Sequence, residues 1–286
     1  MAKEKILVTG AGGQLGSELQ IACKGYPQFE FVFVDKDEMP LDQPEKVRSF
    51  VEELSPAWCI SCGAYTAVDR AETDKELAFV INGDAVGAMA AACRKVGARM
   101  VHISTDYVFP GNSATPLKED DVTGPINVYG ESKLKGEQLA LQNNPDTVVI
   151  RTAWVYSEFG NNFVKTMIRL MKEKPSINVI DDQVGSPTYA ADLAQVILQV
   201  VTAPRFVPGM YHYSNEGKIS WYEFALAIRE LIGSSCPVSP ITTDKYPTPA
   251  KRPHYSLLDK SKIKKTYGIE VPDWKKSLAI CIGKLG

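Results

Sequence analysis

Short, continuously apolar runs alternate with amphipathic stretches along the first half of the chain. KILVTG (5–10), EFVFVD (30–35), AWCISCGA (57–64), RMVHIST (99–105) and TVVIRTAWVY (147–156) read as five strands. Their hydrophobic positions run on without alternating, as in parallel sheets covered on both faces. Between them LGSELQIACK up to Gly25, PEKVRSFVEEL, the long ELAFVINGDAVGAMAAACRKVG ending at Gly97, and a stretch from about Asn127 read as helices. Alternating strands and helices with right-handed crossovers predict an α/β fold, a doubly wound parallel sheet of Rossmann type.

After about residue 156 the rhythm loosens. FVKTMIRLMKEK, YAADLAQVILQVVT and WYEFALAIRELIG read as helices and INVI as a short strand. Pro- and Gly-rich loops, PRFVPG and CPVSPITTDKYPTPAKRP, lie between and after them. The expected division is a dinucleotide-binding domain at 1–155, with a returning segment near 178–202. Residues 156–286 are then mostly a second, smaller, discontinuous α+β substrate-binding lobe.

Composition narrows the function classes. The chain has 286 residues, 44% hydrophobic and 23% charged, and Lys+Arg 32 against Asp+Glu 34 leaves a net charge of −2. There is no basic excess to drive nucleic-acid binding. No signal peptide fits MAKEKILVTG, and uninterrupted apolar stretches fall short of the ~20 residues a membrane helix needs. A soluble cytoplasmic protein with neither nucleic-acid nor membrane partner is expected. Of the six cysteines only Cys59 and Cys62 form a C-x-x-C. They lie on a predicted strand, where residues three apart point to opposite faces, so they read as structural thiols. The three histidines show no metal-ligand spacing.

Candidate chemistry begins directly after the first strand. Gly10, Gly13 and Gly16 form G-x-x-G-x-x-G at the opening of a helix. Gly10 permits the tight turn, Gly13 lets backbone approach a pyrophosphate, and Gly16 lets helix and strand pack closely. The helix N-terminus faces the anion, which predicts a dinucleotide site. Asp35 ends the second strand, where an acid accepts from the adenine-side ribose hydroxyls and favours NAD. Lys36 beside it could instead pair with a 2′-phosphate, which leaves NADPH and NADH both open. Asp42 is a helix N-cap for PEKV, an adenine contact, or both.

Tyr129 and Lys133 form Y-x-x-x-K, and on a helix i and i+4 share a face. An ammonium beside a phenol stabilises phenolate and draws the tyrosine pKa down from about 10. Such a tyrosine exchanges a proton with a carbonyl or alcohol. A solvated helix face is the bland alternative. The fourth strand ends in Ser104-Thr105-Asp106, at the carboxyl edge where α/β ligands bind. A hydroxyl there can hold the same substrate oxygen as Tyr129. The third strand ends in Gly63-Ala64-Tyr65-Thr66, which would line the cofactor's ribose.

Together these motifs resemble the extended short-chain dehydrogenase/reductases. Within them the chain is similar to the dTDP-4-dehydrorhamnose reductase family. The matching strings are VTGAGGQLGSEL, CGAYTAVDRAE, HISTDYVFPG, PINVYGESKLKGE, VIRTAWVYSEFGNNFV, DDQVGSPTYAADLA, GMYHYSNEGKISWYEFA and AKRPHYSLLDKSKI, in order along nearly the whole chain. The resemblance implies reduction of the 4-keto group of dTDP-4-dehydro-β-L-rhamnose to dTDP-L-rhamnose, with hydride from NADPH or NADH. By motif, Tyr129 would give the proton, Lys133 would hold the nicotinamide ribose and tune Tyr129, and Thr105 would bind the same oxygen. Gly13, Gln14 and Leu15 would touch the pyrophosphate, and Asp35 and Asp42 would lie on the adenosine side. Ala64, Tyr65 and Thr66 would run along the cofactor.

On the sugar-nucleotide side the resemblance puts Asp106 and Trp154, though Trp154 also reads as a core aromatic at a strand end. Arg252, in AKRP, could hold the substrate diphosphate bidentately or be a surface arginine. Related dehydratases carry Asp-Glu after the threonine, whereas here Tyr107 follows Asp106. That removes the usual base for proton abstraction at C5. Some family members form metal-bridged dimers through several glutamates. Glu18 occupies one matching position, but Ala191 stands where a second acid is expected and no third ligand is evident. No structural magnesium is therefore expected, and a monomer or a homodimer both fit. Two other readings stand beside this one. One is a reductase of another nucleotide 4-keto-6-deoxy sugar. The other is a non-catalytic NADP-binding regulatory subunit like the methionine adenosyltransferase β subunit, against which the retained Thr105, Tyr129 and Lys133 argue.

Overall fold

The computed structural model describes residues 3–285. Six strands, β1 (Glu4–Thr9), β2 (Phe29–Val34), β3 (Trp58–Ser61), β4 (Arg99–Thr105), β5 (Thr147–Thr152) and β6 (Gly209–His212), form one sheet. Its order is β6-β5-β4-β3-β1-β2, and every pairing is parallel. The principal helices are α1 (Gln14–Ala22), α2 (Pro44–Leu54), α3 (Lys75–Val96), α4 (Val128–Asn143), α5 (Phe163–Glu173), α6 (Ala190–Thr202), α7 (Trp221–Leu231), α8 (Ser261–Tyr267) and α9 (Trp274–Leu285).

Successive residues of each strand feed opposite faces, which is why the central strands carry apolar residues on both. On one face Ile6, Val8, Ile60 and Val148 pack with Leu19 of α1 and Leu193 and Ile197 of α6. On the other, Leu7, Cys59 and Met100 pack with Val47 and Val51 of α2 and Val86 and Met89 of α3. Cys59 joins the second cluster and Cys62 the first, so the two thiols do point apart. All six cysteines are free. Helix α3 is long and apolar enough to cross a membrane by length and composition. Here its apolar face is used on α2, α4 and the sheet.

A further core lies beyond β5, where Val164 and Met167 of α5, Phe224 and Ile228 of α7 and Leu278 of α9 pack together. A short parallel pair, 177–180 with 238–241, edges it. Helix α7 opens with a capping box in which Ser220 and Glu223 satisfy each other's backbone amides.

Three elements depart from the sequence pattern. The strand read over 147–156 ends at Thr152, because Trp154 takes a left-handed backbone with φ 49°. Residues 155–156 then pair with 188–189 instead. The long helix α3 contains a π-helical stretch, Val80–Asp84. Strand β6, only four residues long and opening on a glycine, adds a sixth strand beside β5.

The chain leaves β1 toward β2 on one side and reaches β3 on the other. This reversal opens a crevice at the carboxyl ends of β1 and β3, the place where open α/β sheets take their ligands.

Candidate active site

A cleft of about 860 Å³ occupies that crevice. Gly10 turns the chain out of β1 with φ +70°, and a Cβ there would stand 2.7 Å from the Gly63 nitrogen. A Cβ on Gly16 would overlap the Gly10 carbonyl oxygen. Both glycines are therefore needed for loop and helix to close up. Gly13 is the N-cap of α1 and offers no side chain to its amides. The first turn of α1 thus meets the cleft with free N–H groups and the positive end of its dipole. That cradle fits a dinucleotide pyrophosphate.

Gly10, Gly13, Gln14, Leu15, Gly16, Asp35, Asp42, Ala64, Thr66, Tyr129 and Lys133 all line this cleft. Asp35 also braces the loop, accepting from the Gly12 amide at 2.8 Å and the Lys36 amide at 3.0 Å. Asp42 is not a helix cap; Gln43 takes that position, with Pro44 opening α2. Tyr65 does not line the cleft. Its hydroxyl donates to Asp74 at 2.9 Å, and its amide and carbonyl are both bound by Asn82.

Helix α4 presents the Y-x-x-x-K pair. Asn127 caps it, accepting from the Gly130 amide at 2.8 Å. Gly130 lets the helix abut Tyr107, whose carbonyl oxygen a Cβ would strike. Lys133 is 2% exposed, and its Nζ donates to the Ile103 carbonyl of β4 at 2.7 Å. Burial pulls Lys133 down to about 8. Burial also pushes Tyr129 up to about 12, opposed by a hydrogen bond with Thr105. The sequence-based expectation of a tyrosine drawn toward neutrality is thus reversed: desolvation of the phenolate dominates.

Thr105 ends β4 beside Tyr129. Its hydroxyl donates to Asp106 Oδ1 at 3.0 Å and accepts from the Tyr107 amide at 3.2 Å. Asp106 is buried, and burial raises it to about 6 against the lowering effect of the Ser256 and Thr105 hydroxyls. Its Oδ2 has no hydrogen-bond partner. The structure therefore brings Thr105, Asp106, Tyr129 and Lys133 together.

Sequence reasoning missed the brace behind them. Asn82, in the π-helical stretch, donates to Ser132 Oγ at 3.0 Å, and Ser132 donates to the Tyr129 carbonyl at 2.8 Å. Only the irregular turn, invisible to a 3.6-residue period, aims Asn82 there.

Thr105 and Asp106, which follow the cleft-lining Ser104, lie outside the cleft lining, as do Trp154 and Arg252. The Trp154 indole stacks on Trp221 with centroids 3.7 Å apart and planes at 15°. Gly185 also stands against it, where a Cβ would be 3.0 Å from the indole. The same hypothetical Cβ would be 2.9 Å from Ser256 Oγ, so Trp154 neighbours the Asp106 side of the site. Arg252 spends its fork on Asp69, Nη1 to Oδ1 at 2.7 Å and Nη2 to Oδ2 at 2.8 Å.

Glu18 is 2% exposed, and accepts from the Ser157 hydroxyl at 2.7 Å. Among the described residues, no group of three or more His, Cys, Asp or Glu side chains is arranged to hold a metal ion.

Residues 4–286 match the protein-family model for the RmlD substrate binding domain. The dTDP-4-dehydrorhamnose reductase of Burkholderia thailandensis is 41% identical over 298 residues, covering 98% of this chain and 99% of that protein. The crystal structure of a dTDP-4-dehydrorhamnose reductase from Clostridium acetobutylicum superposes with a TM-score of 0.95 at 43% identity, covering 98% and 99%. That of the Bacillus anthracis dTDP-4-dehydrorhamnose reductase, in complex with NADP, gives 0.94 at 38% identity, covering 99% and 100%.

Proposed function

This chain belongs to the dTDP-4-dehydrorhamnose reductase family, and from that premise we propose how its cleft works. It is an NAD(P)H-dependent reductase of dTDP-4-dehydro-β-L-rhamnose, giving dTDP-L-rhamnose. The convergence of Thr105, Tyr129 and Lys133 at the end of β4 and the start of α4 carries this reading. A bound nicotinamide supplies the hydride for the 4-keto carbon.

The protein supplies the proton and the geometry. Reduction needs a tyrosine that starts protonated, and burial keeps Tyr129 so. Its hydroxyl gives the proton to the oxygen as negative charge develops there. The Thr105 hydroxyl holds that same oxygen. Lys133, pinned by the Ile103 carbonyl, is within the same pocket to hold the nicotinamide ribose and stabilise the phenolate left behind.

Gly13, Gln14 and Leu15 take the pyrophosphate, Asp35 and Asp42 the adenosine, and Ala64 and Thr66 the length between. Asp106, with its unpartnered Oδ2, and Trp154 face the sugar nucleotide; Arg252 holds its diphosphate. In this reading 1–155 and the returning segment near 178–202 bind the dinucleotide. The rest of 156–286 binds the sugar nucleotide. Tyr107 cannot act as the C5 base a dehydratase needs, which favours plain reduction. The enzyme acts in the cytoplasm in this reading.

The test follows nicotinamide fluorescence with NADPH, then NADH, plus dTDP-4-keto-6-deoxyglucose and a 3,5-epimerase. Signal loss only with the epimerase supports the reading. Loss without it points to the unepimerised sugar, and no loss with NADPH still bound points to a regulatory module. Tyr129→Phe is expected to cut kcat by about 10²–10⁴ with NADPH binding intact; unchanged turnover removes the proton-donor role.

A further inference from the structure

Asp69 has no part in the reading above, yet it holds the residue that reading gives to the diphosphate. It sits on a helical turn, Val68–Ala71, shortly after β3. Arg252 lies 183 residues later in the chain. The carboxylate takes both arms of the guanidinium, at 2.7 and 2.8 Å, and also accepts from the Ala250 amide at 3.1 Å. Arg252 Nη1 in turn donates to the Ala250 carbonyl at 2.7 Å. The neighbouring Lys251 carbonyl accepts from Asn127, the cap of α4, at 2.7 Å. The arginine loop is therefore fastened to the very helix end that carries Tyr129.

Tyr107 stands beside Tyr129. Its ring meets that of Tyr129 edge-on at 5.6 Å, and the Arg252 charge acts on its hydroxyl. Arg252 is thus held beside the helix end that carries the proton donor, but with its fork filled.

A diphosphate oxygen pair matches the same fork and brings more charge than a carboxylate. The two partners of the present pair are unequally held. The Asp69 side chain is 43% exposed and that of Arg252 20%. Asp69 can turn out to water while the less exposed Arg252 stays in place.

We propose that Asp69 is an internal stand-in for the substrate diphosphate, masking Arg252 until the nucleotide sugar displaces it. This rests on the assignment of Arg252 to the diphosphate. A masked site binds its ligand more weakly, by the fraction of time the fork is free.

Titration calorimetry with dTDP, which carries base and diphosphate without the sugar, tests the mask. Asp69→Asn is expected to bind dTDP about three- to tenfold more tightly than the unaltered chain. It should lower KM for the sugar nucleotide while leaving KM for NADPH unchanged. Arg252→Gln is expected to bind dTDP about tenfold or more weakly. In the Arg252→Gln background, Asp69→Asn should add nothing. Asp69→Ser repeats the measurement without an amide, and thermal unfolding checks that each variant is folded.

Unchanged or weaker dTDP binding in both Asp69 variants overturns the mask and makes Asp69 an orienting partner of Arg252. A gain that persists without Arg252 also overturns it, since charge alone would then explain the effect. Arg252→Gln binding dTDP as tightly as the unaltered chain removes the underlying assignment instead.

Discussion

Lys133 has exchanged water for a single carbonyl, that of Ile103 at 2.7 Å. That exchange penalises its charge and brings it down to about 8, while Tyr129 stays near 12. The order matters, because the first group of this pair to lose a proton as pH rises is the lysine. The charged lysine is the form that stabilises a phenolate. The kcat/KM for ketone reduction is therefore expected to fall above about pH 8, with the limb belonging to Lys133. A Lys133→Arg variant that retains activity should lose the limb, since arginine does not deprotonate in this range. A profile flat to pH 9.5 in the unaltered enzyme would sink the assignment. The Y-x-x-x-K spacing put both residues on one helix face from sequence alone. The direction of the tyrosine's shift was not legible, because spacing reports neighbours and not the loss of water around them.

At the scale of elements, the most informative misreading is β5. TVVIRTAWVY is rich in β-branched and aromatic residues to its end and holds no Gly or Pro, so nothing local stops a strand at Thr152. The stop comes from tertiary packing that stacks the Trp154 indole on Trp221 and sets it against Gly185. A left-handed backbone at a bulky residue costs about 1–3 kcal/mol, and the stack must offset it. Phe163 supports the far side of Trp221 with ring centroids 4.6 Å apart. Trp221→Ala is expected to raise KM for the sugar nucleotide about tenfold without moving KM for NADPH. It should also abolish the far-ultraviolet exciton couplet that two near-parallel indoles produce. Loss of the couplet with an unchanged KM would leave Trp154 a core aromatic, its bland reading. The π-helical stretch that aims Asn82 at Ser132 was hidden for the same reason. The glycine loop was legible because its requirements are steric and local, as the close approach of Gly10 to Gly63 illustrates.

Over the whole molecule, the cluster around Glu18 joins parts of the chain that lie far apart in sequence. Glu18 comes from α1, Ser157 and Glu158 follow β5, Tyr189 precedes α6, and Lys284 ends α9. Lys284 donates to Glu158 at 2.8 Å, and the Tyr189 hydroxyl donates to it at 3.0 Å. The ammonium binds Glu158, whereas buried Glu18 has no cation bound to it among the described residues, so Glu18 is the carboxyl that keeps its proton. Burial, and then the hydrogen bond with Glu158, push Glu18 up to about 7. Burial opposes the ionisation of Glu158, but the hydrogen bonds from Lys284, Glu18, the backbone and Tyr189 together outweigh it and hold Glu158 below the usual carboxylate range. The signs are opposite. Between about pH 4.5 and 7 the unfolded chain releases the Glu18 proton that the folded chain keeps, so stability falls as pH rises. Glu158 contributes stability above its unfolded pKa and loses it as pH falls toward its lowered value. Stability from this pair is therefore greatest near the unfolded carboxyl pKa of 4.5. Glu18→Gln removes the proton and keeps an amide able to donate to Glu158 and accept from Ser157. Thermal unfolding at constant ionic strength should give equal Tm values near pH 4, below the unfolded pKa of the carboxyl, for both proteins. At pH 8 the variant should melt higher, on a scale of about 2–4 °C for each kcal/mol recovered. Because the cluster binds four segments, the shift should move a single global transition. A variant whose Tm falls with pH as steeply as the unaltered chain's would show that Glu18 does not hold the proton.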